Sequence, residues 1–137
     1  MRPITMGIGL VLFLTGMLPA LAQESDGTAE VAALYKEAKE LKAAGKSKEA
    51  AEVYEKVVAK AQIALGMDHV NTAMFMHILA DLYKSMAQYE KAEPLYQSSL
   101  KIYKEKLGKD HRYVALSLNN LANLYEGIGQ FAKAEPL

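Results

Sequence analysis

A thirty-residue stretch occurs twice in this chain of 137 residues. Residues 66–95 read GMDHVNTAMFMHILADLYKSMAQYEKAEPL, and residues 108–137 read GKDHRYVALSLNNLANLYEGIGQFAKAEPL. At a shift of 42 positions, 14 of the 30 aligned residues are identical, whereas unrelated segments of ordinary composition share about two. Self-similarity at a fixed period indicates a repeat architecture.

Each copy of the repeat carries two apolar stripes at helical spacing, separated by a short turn. The first stripe ends near Met86, and the second runs from Ala92 to Leu107, where Gly108 ends it. Neither helix can bury its stripe alone, so we expect antiparallel helix pairs that stack on one another. The first stripe contains Met76, Leu79, Ala80 and Tyr83.

A weaker copy lies one period earlier. Ala38 aligns with Ala80, and Ala50 aligns with Ala92, while polar residues replace some apolar positions, as expected for a terminal unit with one face in water. The last unit stops at Leu137, early in its second helix, which suggests a truncated reading frame, a fragment, or completion by another chain. The predicted repeats span approximately residues 29–66, 67–108 and 109–137, the last one incomplete.

The spacing of small and aromatic residues resembles the tetratricopeptide repeat. Ala80, Tyr83, Ala87, Ala92 and Tyr96 fit its pattern, and the 42-residue period, longer than the usual 34, is similar to the long-helix subclass found in kinesin light chains. This resemblance implies an all-α fold, a right-handed α-solenoid of stacked antiparallel helix pairs with about two and a half repeats. The resemblance implies that this chain binds a partner protein, and we do not expect it to be an enzyme.

The first 22 residues differ from the rest of the chain. Arg2 precedes an uncharged apolar run from Met6 to Leu18, and Ala20-Leu21-Ala22 is a small-x-small pattern typical of signal peptidase sites. We therefore expect a signal peptide over residues 1–22, a polar lead over 23–28, and a periplasmic or secreted mature protein without membrane contact. The alternative is an uncleaved signal that anchors the chain in a membrane.

Composition excludes several classes of function. Sixteen basic residues balance sixteen acidic ones, so nothing predicts a nucleic-acid partner. There is no Cys, and the motifs of phosphate-binding loops, serine hydrolases and zinc proteases are missing from the sequence. We therefore expect no catalytic residue, no cofactor and no metal.

The tetrapeptide Gly-x-Asp-His starts both copies of the repeat. We interpret it as structural: Asp68 and Asp110 would accept hydrogen bonds from the first free N–H groups of the following helix. His69 and His111 would then pack in the turn between repeats. The two imidazoles lie one repeat apart, too far to share a metal ion.

In the tetratricopeptide family, the first helix of each pair lines a concave groove that holds peptides. Carried over by register, the resemblance assigns three groove positions to each first helix here, and their i, i+4, i+7 spacing places each trio on one helix face. Asparagine carboxamides can contact an extended peptide backbone, and lysines suit an acidic ligand end. The nine positions are Tyr35, Lys39, Lys42, His77, Asp81, Lys84, Asn119, Asn123 and Glu126.

Two functions follow from these expectations. The first is an exported protein-interaction module or scaffold that binds a partner peptide in its groove. The alternative is a self-assembling structural protein, or part of a larger repeat protein, that stacks through the open edge after Leu137 and forms homo-oligomers.

Overall fold

A computed structural model of the chain describes residues 27–137, and this part of the protein is helical. The predicted signal peptide at residues 1–22 and the start of the polar lead lie outside the described residues. Six helices follow one another: α1 over residues 27–43, α2 Ser47–Ala64, α3 Val70–Ser85, α4 Tyr89–Leu107, α5 Arg112–Gly127 and α6 Phe131–Ala134.

Helix α1 includes two residues that the sequence pattern assigned to the polar lead. Gly27 and Thr28 are helical, although the apolar pattern begins near Ala29. A Cβ built on Gly27 would lie 3.4 Å from the Cβ of Ala64, so the start of α1 passes close to the end of α2. This tertiary contact leaves no periodic signal in the sequence, which is why the pattern does not include these two residues in the helix.

The predicted pairs are α1–α2, α3–α4 and α5–α6, and the recurring alanines lie where their helices meet. Ala38, Ala50, Ala80 and Ala92 are completely buried, because a methyl side chain permits close approach of two helix axes. Ala122 is only partly buried, since α6 is a single turn that covers less of α5. The predicted stripes therefore form one continuous core.

Histidine, not aspartate, caps the first helix of each repeat, so our interpretation of the tetrapeptide was wrong in this respect. Helix α3 begins at Val70, and Nδ1 of His69 accepts a hydrogen bond from the Asn71 N–H at 3.0 Å. His111 Nδ1 accepts one from the Tyr113 N–H at 3.1 Å. The aspartates lie one residue too early to reach these donors.

Asp68, which does not cap the helix, forms an ion pair instead. The Asp68 carboxylate lies 3.2 Å from the ammonium group of Lys106 in α4. Its hydrogen bond to Lys106 is the main reason that the pKa of the Asp68 carboxyl is below its usual value. Because both side chains are exposed, water and salt screen this pair, and it contributes little to stability.

A tyrosine and a lysine that are identical in both copies of the repeat connect successive units on the side of the second helices. The Tyr83 hydroxyl donates to Glu55 in the preceding unit, and the Lys91 ammonium lies 5.2 Å from the centre of the Tyr83 ring. One period later, Tyr125 donates to Glu93 at 2.8 Å, and Lys133 lies 5.5 Å from its ring centre. The repeated Tyr and Lys thus help to fix the displacement of each helix pair relative to the preceding pair.

Within residues 27–137, no helix is both long enough and apolar enough to span a membrane.

The turn inside each helix pair requires a left-handed backbone. Gly45, Ala87 and Gly129 occupy equivalent positions one period apart, with φ angles of 74°, 58° and 76°. A left-handed conformation costs an L-residue roughly 1–2 kcal/mol, whereas glycine adopts it freely. The middle turn is therefore strained by its alanine.

Replacing Ala87 with Gly should relieve this strain. The gain is partly offset by the greater entropy of unfolded glycine, roughly 0.5–1 kcal/mol, so we expect a net stabilisation of about 0.5–1 kcal/mol, measured by urea denaturation. The matched control is Gly129→Ala, where an added Cβ meets no atom within 4 Å, so only backbone strain acts. It should destabilise the chain by a similar amount; equal stability of all three proteins would contradict the account.

Candidate functional site

The first predicted trio lines an open cleft. Tyr35, Lys39 and Lys42 on α1 face a space of about 390 Å³. Tyr54 from α2 and Ile78 from α3 close its other sides, so the cleft bridges the first and second units. Lys39 and Lys42 are exposed, and both ammonium groups are free to meet an anionic ligand, although Lys39 also lies 5.4 Å from the ring centre of Tyr35.

The second trio is different, because His77 is buried. Its side chain is only 8% exposed. Its two ring nitrogens are bonded to α5: Nε2 lies 2.9 Å from Asn120 Nδ2, and Nδ1 lies 3.3 Å from Ser117 Oγ. The rings of Tyr96 and Tyr103 on α4 lie 5.3 and 6.4 Å from the imidazole centre. His77 therefore joins two units and offers no surface to a ligand.

Asp81 belongs to the same polar cluster. Its carboxylate accepts hydrogen bonds from the Tyr96 hydroxyl and from Asn120 Nδ2, the latter at 3.4 Å. It also lies 3.7 Å from His77 Nε2 and remains 37% exposed. Asp81 thus has one side in the junction and one side on the surface. Lys84 is half-buried, with its ammonium 5.8 Å from the ring centre of Tyr96.

Asn119, Asn123 and Glu126 of the third trio are all exposed on α5. The neighbouring amide, Asn120, is the one that points into the junction with α3. Sequence reasoning selected Asn119 and missed both Asn120 and Ser117. That the nine residues together contact a peptide stays a prediction, but His77 supports the surface from beneath it.

The repeat period explains why His77 is buried. Tyr35, one period earlier, packs against Phe75 of the next unit with ring centres 5.1 Å apart, and the cleft brings it to Ile78. One period later, those two neighbours become Ser117 and Asn120. An aromatic and aliphatic junction is thus replaced by a polar one of the same geometry. Three simultaneous polar replacements at positions 77, 117 and 120 were the signal available in the sequence.

Burial shapes the ionisation of this junction. Desolvation is the main cause that lowers the pKa of the His77 imidazole below 6.5; Asp81 opposes this shift, and Lys84 adds to it. Burial, followed by the hydrogen bond to Asp81, raises the pKa of Tyr96, and burial raises that of Tyr103 to about 12. Asp81 and Lys84 are the charged side chains that act on the His77 imidazole.

Within residues 27–137, no group of three or more His, Asp, Glu or Cys side chains is arranged so that it could hold a metal ion. The prediction that the chain is not an enzyme and takes no cofactor or metal stays a prediction.

The internal repeat matches a known family model. The model described as tetratricopeptide repeat matches residues 30–105 and 71–137, which together cover the three units. The chain belongs to the tetratricopeptide repeat family. Proteins of this family generally bind other proteins, and the fold is typically a scaffold without catalysis. No curated protein matches the chain.

Solved structures confirm the predicted fold, a right-handed α-solenoid of stacked antiparallel helix pairs. BtubC (BKLC) from P. vanneervenii superposes on 76% of this chain with a TM-score of 0.71 and 24% identity. A putative kinesin light chain from P. anserina with nearly identical tetratricopeptide-like repeats superposes on 76% with a TM-score of 0.69 and 29% identity. The predicted likeness to kinesin light chains is thereby confirmed.

The chain spans less than half the length of these relatives. It covers 41% of the first structure and 49% of the second. The binding partners of those complete proteins are therefore properties of those proteins and are not assigned to this chain.

The two adjacent asparagines provide a matched test of the site geometry. Asn120→Ala removes the donor to the buried His77 Nε2, so we expect a loss of about 1–3 kcal/mol in the free energy of unfolding. Asn119→Ala, on the exposed face, should stay within about 0.5 kcal/mol of the parent chain. Chemical denaturation measures both, and equal losses for the two variants would show that the assigned junction is wrong.

Proposed function

We propose that the chain is a protein-interaction scaffold that binds an extended segment of a partner across the face formed by α1, α3 and α5. The supporting observation is the register of these helices. Tyr35 packs on the second unit and His77 on the third, so equivalent positions follow one another along one surface. Next to them lie side chains that the core does not use. These are Lys39, Lys42, Asn119, Asn123 and Glu126.

The charge of this face changes along the solenoid. The α1 end presents Lys39 and Lys42 beside an apolar cleft, and the α5 end presents two carboxamides and Glu126. Such a gradient favours one orientation of a bound segment, in which acidic side chains of the segment contact α1 and its backbone amide groups contact α5. Carboxamides can both donate to and accept from a peptide backbone, while charge complementarity fixes the register.

Self-assembly through the α5 edge has weaker support. Leu116 on α5 is 48% exposed, which is compatible with a further contact. However, the positions that pack α3 onto the first unit, Phe75 and Ile78, correspond to Ala33 and Lys36 on α1, and both are exposed. Head-to-tail stacking would have to desolvate the Lys36 ammonium at that contact, which is costly.

Export also belongs to this proposal. The apolar run and the small-x-small pattern before Gln23 support a signal peptide and a periplasmic or secreted protein; an uncleaved anchor is the alternative. The partner in this proposal is a protein or peptide, and no nucleic acid is involved.

The test uses peptides selected from a random display library on the full chain, with affinity measured by fluorescence anisotropy. Lys39→Glu/Lys42→Glu should weaken binding of the selected peptides by at least about tenfold, or 1.4 kcal/mol. Lys101→Glu/Lys104→Glu is the matched control, because it changes the same charge at the same spacing on exposed positions of α4. Equal effects of the two variants, or a failure to select any peptide, would contradict the proposed site.

A further inference from the structure

We propose that the junction between the second and third units is a proton-sensitive contact, which holds α3 and α5 together while His77 is neutral and loosens when His77 takes up a proton. This inference does not depend on peptide binding. It rests on the hydrogen-bond geometry around one buried imidazole.

The direction of the hydrogen bonds requires a neutral imidazole. The amide nitrogen of Asn120 can only donate, and it lies 2.9 Å from His77 Nε2 and 3.4 Å from Asp81 Oδ1. Its two hydrogens therefore serve the imidazole and the carboxylate, and Nε2 must be an acceptor. The remaining ring nitrogen, Nδ1, carries the proton and faces Ser117 Oγ at 3.3 Å.

Protonation breaks this arrangement. A hydrogen on Nε2 would point at the Asn120 amide hydrogens, so the amide must turn. Turned over, its Oδ1 could accept from Nε2–H, but Oδ1 would then replace the donor that faces the Asp81 carboxylate, and the bond between Asn120 and Asp81 would be lost. The new charge would lie among Tyr96, Tyr103, Ser117 and the core, where a charged group is poorly solvated.

The neighbouring charges do not reverse this conclusion. On α3, Asp81 favours a protonated imidazole, but it lies 3.7 Å from Nε2 and already accepts from Tyr96, whereas Lys84 disfavours it. On α4, the facing titratable groups are the hydroxyls of Tyr96 and Tyr103, which are neutral. On α5, Ser117 and Asn120 carry no charge. Among the described groups that face His77, Asp81 is thus the one that favours the protonated imidazole and opposes the loosening of the junction.

The sign of the pH dependence follows from the lowered pKa of His77. Between its folded value and the unfolded value near 6.5, the unfolded chain binds more protons than the folded chain. The contribution of His77 to stability is therefore complete above pH 6.5 and is lost as the pH falls below it.

Two other histidines must be controlled, because His69 and His111 also accept hydrogen bonds through Nδ1. His69→Ser and His111→Ser replace them with hydroxyl caps that do not titrate in this range. In this background, thermal unfolding from about pH 8 to about pH 5.5 compares His77 with His77→Gln. The glutamine keeps a neutral acceptor for Asn120.

We expect the melting temperature of the His77 protein to fall by about 3–5 °C more than that of the His77→Gln protein over this range, and we expect hydrogen exchange in α5 to accelerate at low pH in the former alone. Equal falls in the two proteins would overturn the proposal. If the glutamine variant does not fold, an NMR titration of His77 in the otherwise unchanged background decides: an imidazole pKa below 6.5 supports the proposal, and a value at or above 6.5 refutes it.

Discussion

The structure depends on one constraint: none of the helices in residues 27–137 can bury its apolar stripe without the neighbouring helices. Ala38 and Ala80 are completely buried because neighbouring helices approach them closely. The stack therefore tolerates only small residues at these points. Tyr83 and Tyr125 then reach back to carboxylates of the preceding unit, which fixes how far each pair is displaced from the last. A constant step follows from repeated side chains.

The chemistry of the junctions varies while their geometry is kept. The position occupied by Tyr35 in the first unit is His77 in the second and Asn119 in the third. The first two pack against the next unit, one through an aromatic contact and one through hydrogen bonds. A solenoid can therefore hold an apolar joint beside a polar one, and in a stack of this kind each joint contributes separately to stability.

Much of the fold could be predicted from the sequence, because it depends on periodicity. The 42-residue period, the helix pairs and the alanines at the crossings are all visible as repeated letters. Features that depend on the exact start of a helix or on distant partners leave weaker signals in the sequence. The cap was assigned to Asp68 because aspartate is a common cap, yet the helix starts one residue later and places His69 there. His77 was placed in the groove because it occupies the family's groove register. Its burial depends on Ser117 and Asn120, which lie 40 and 43 residues later in the chain.

The central claim, a constant step between units, can be measured by pulsed electron paramagnetic resonance on spin labels. The chain contains no cysteine, so labels attach only where Cys is introduced. Lys46, Gln88 and Gln130 are exposed at equivalent turn positions one period apart. We expect the 46–88 and 88–130 distances to agree within the width of the label distributions. Two clearly different distances would contradict the account.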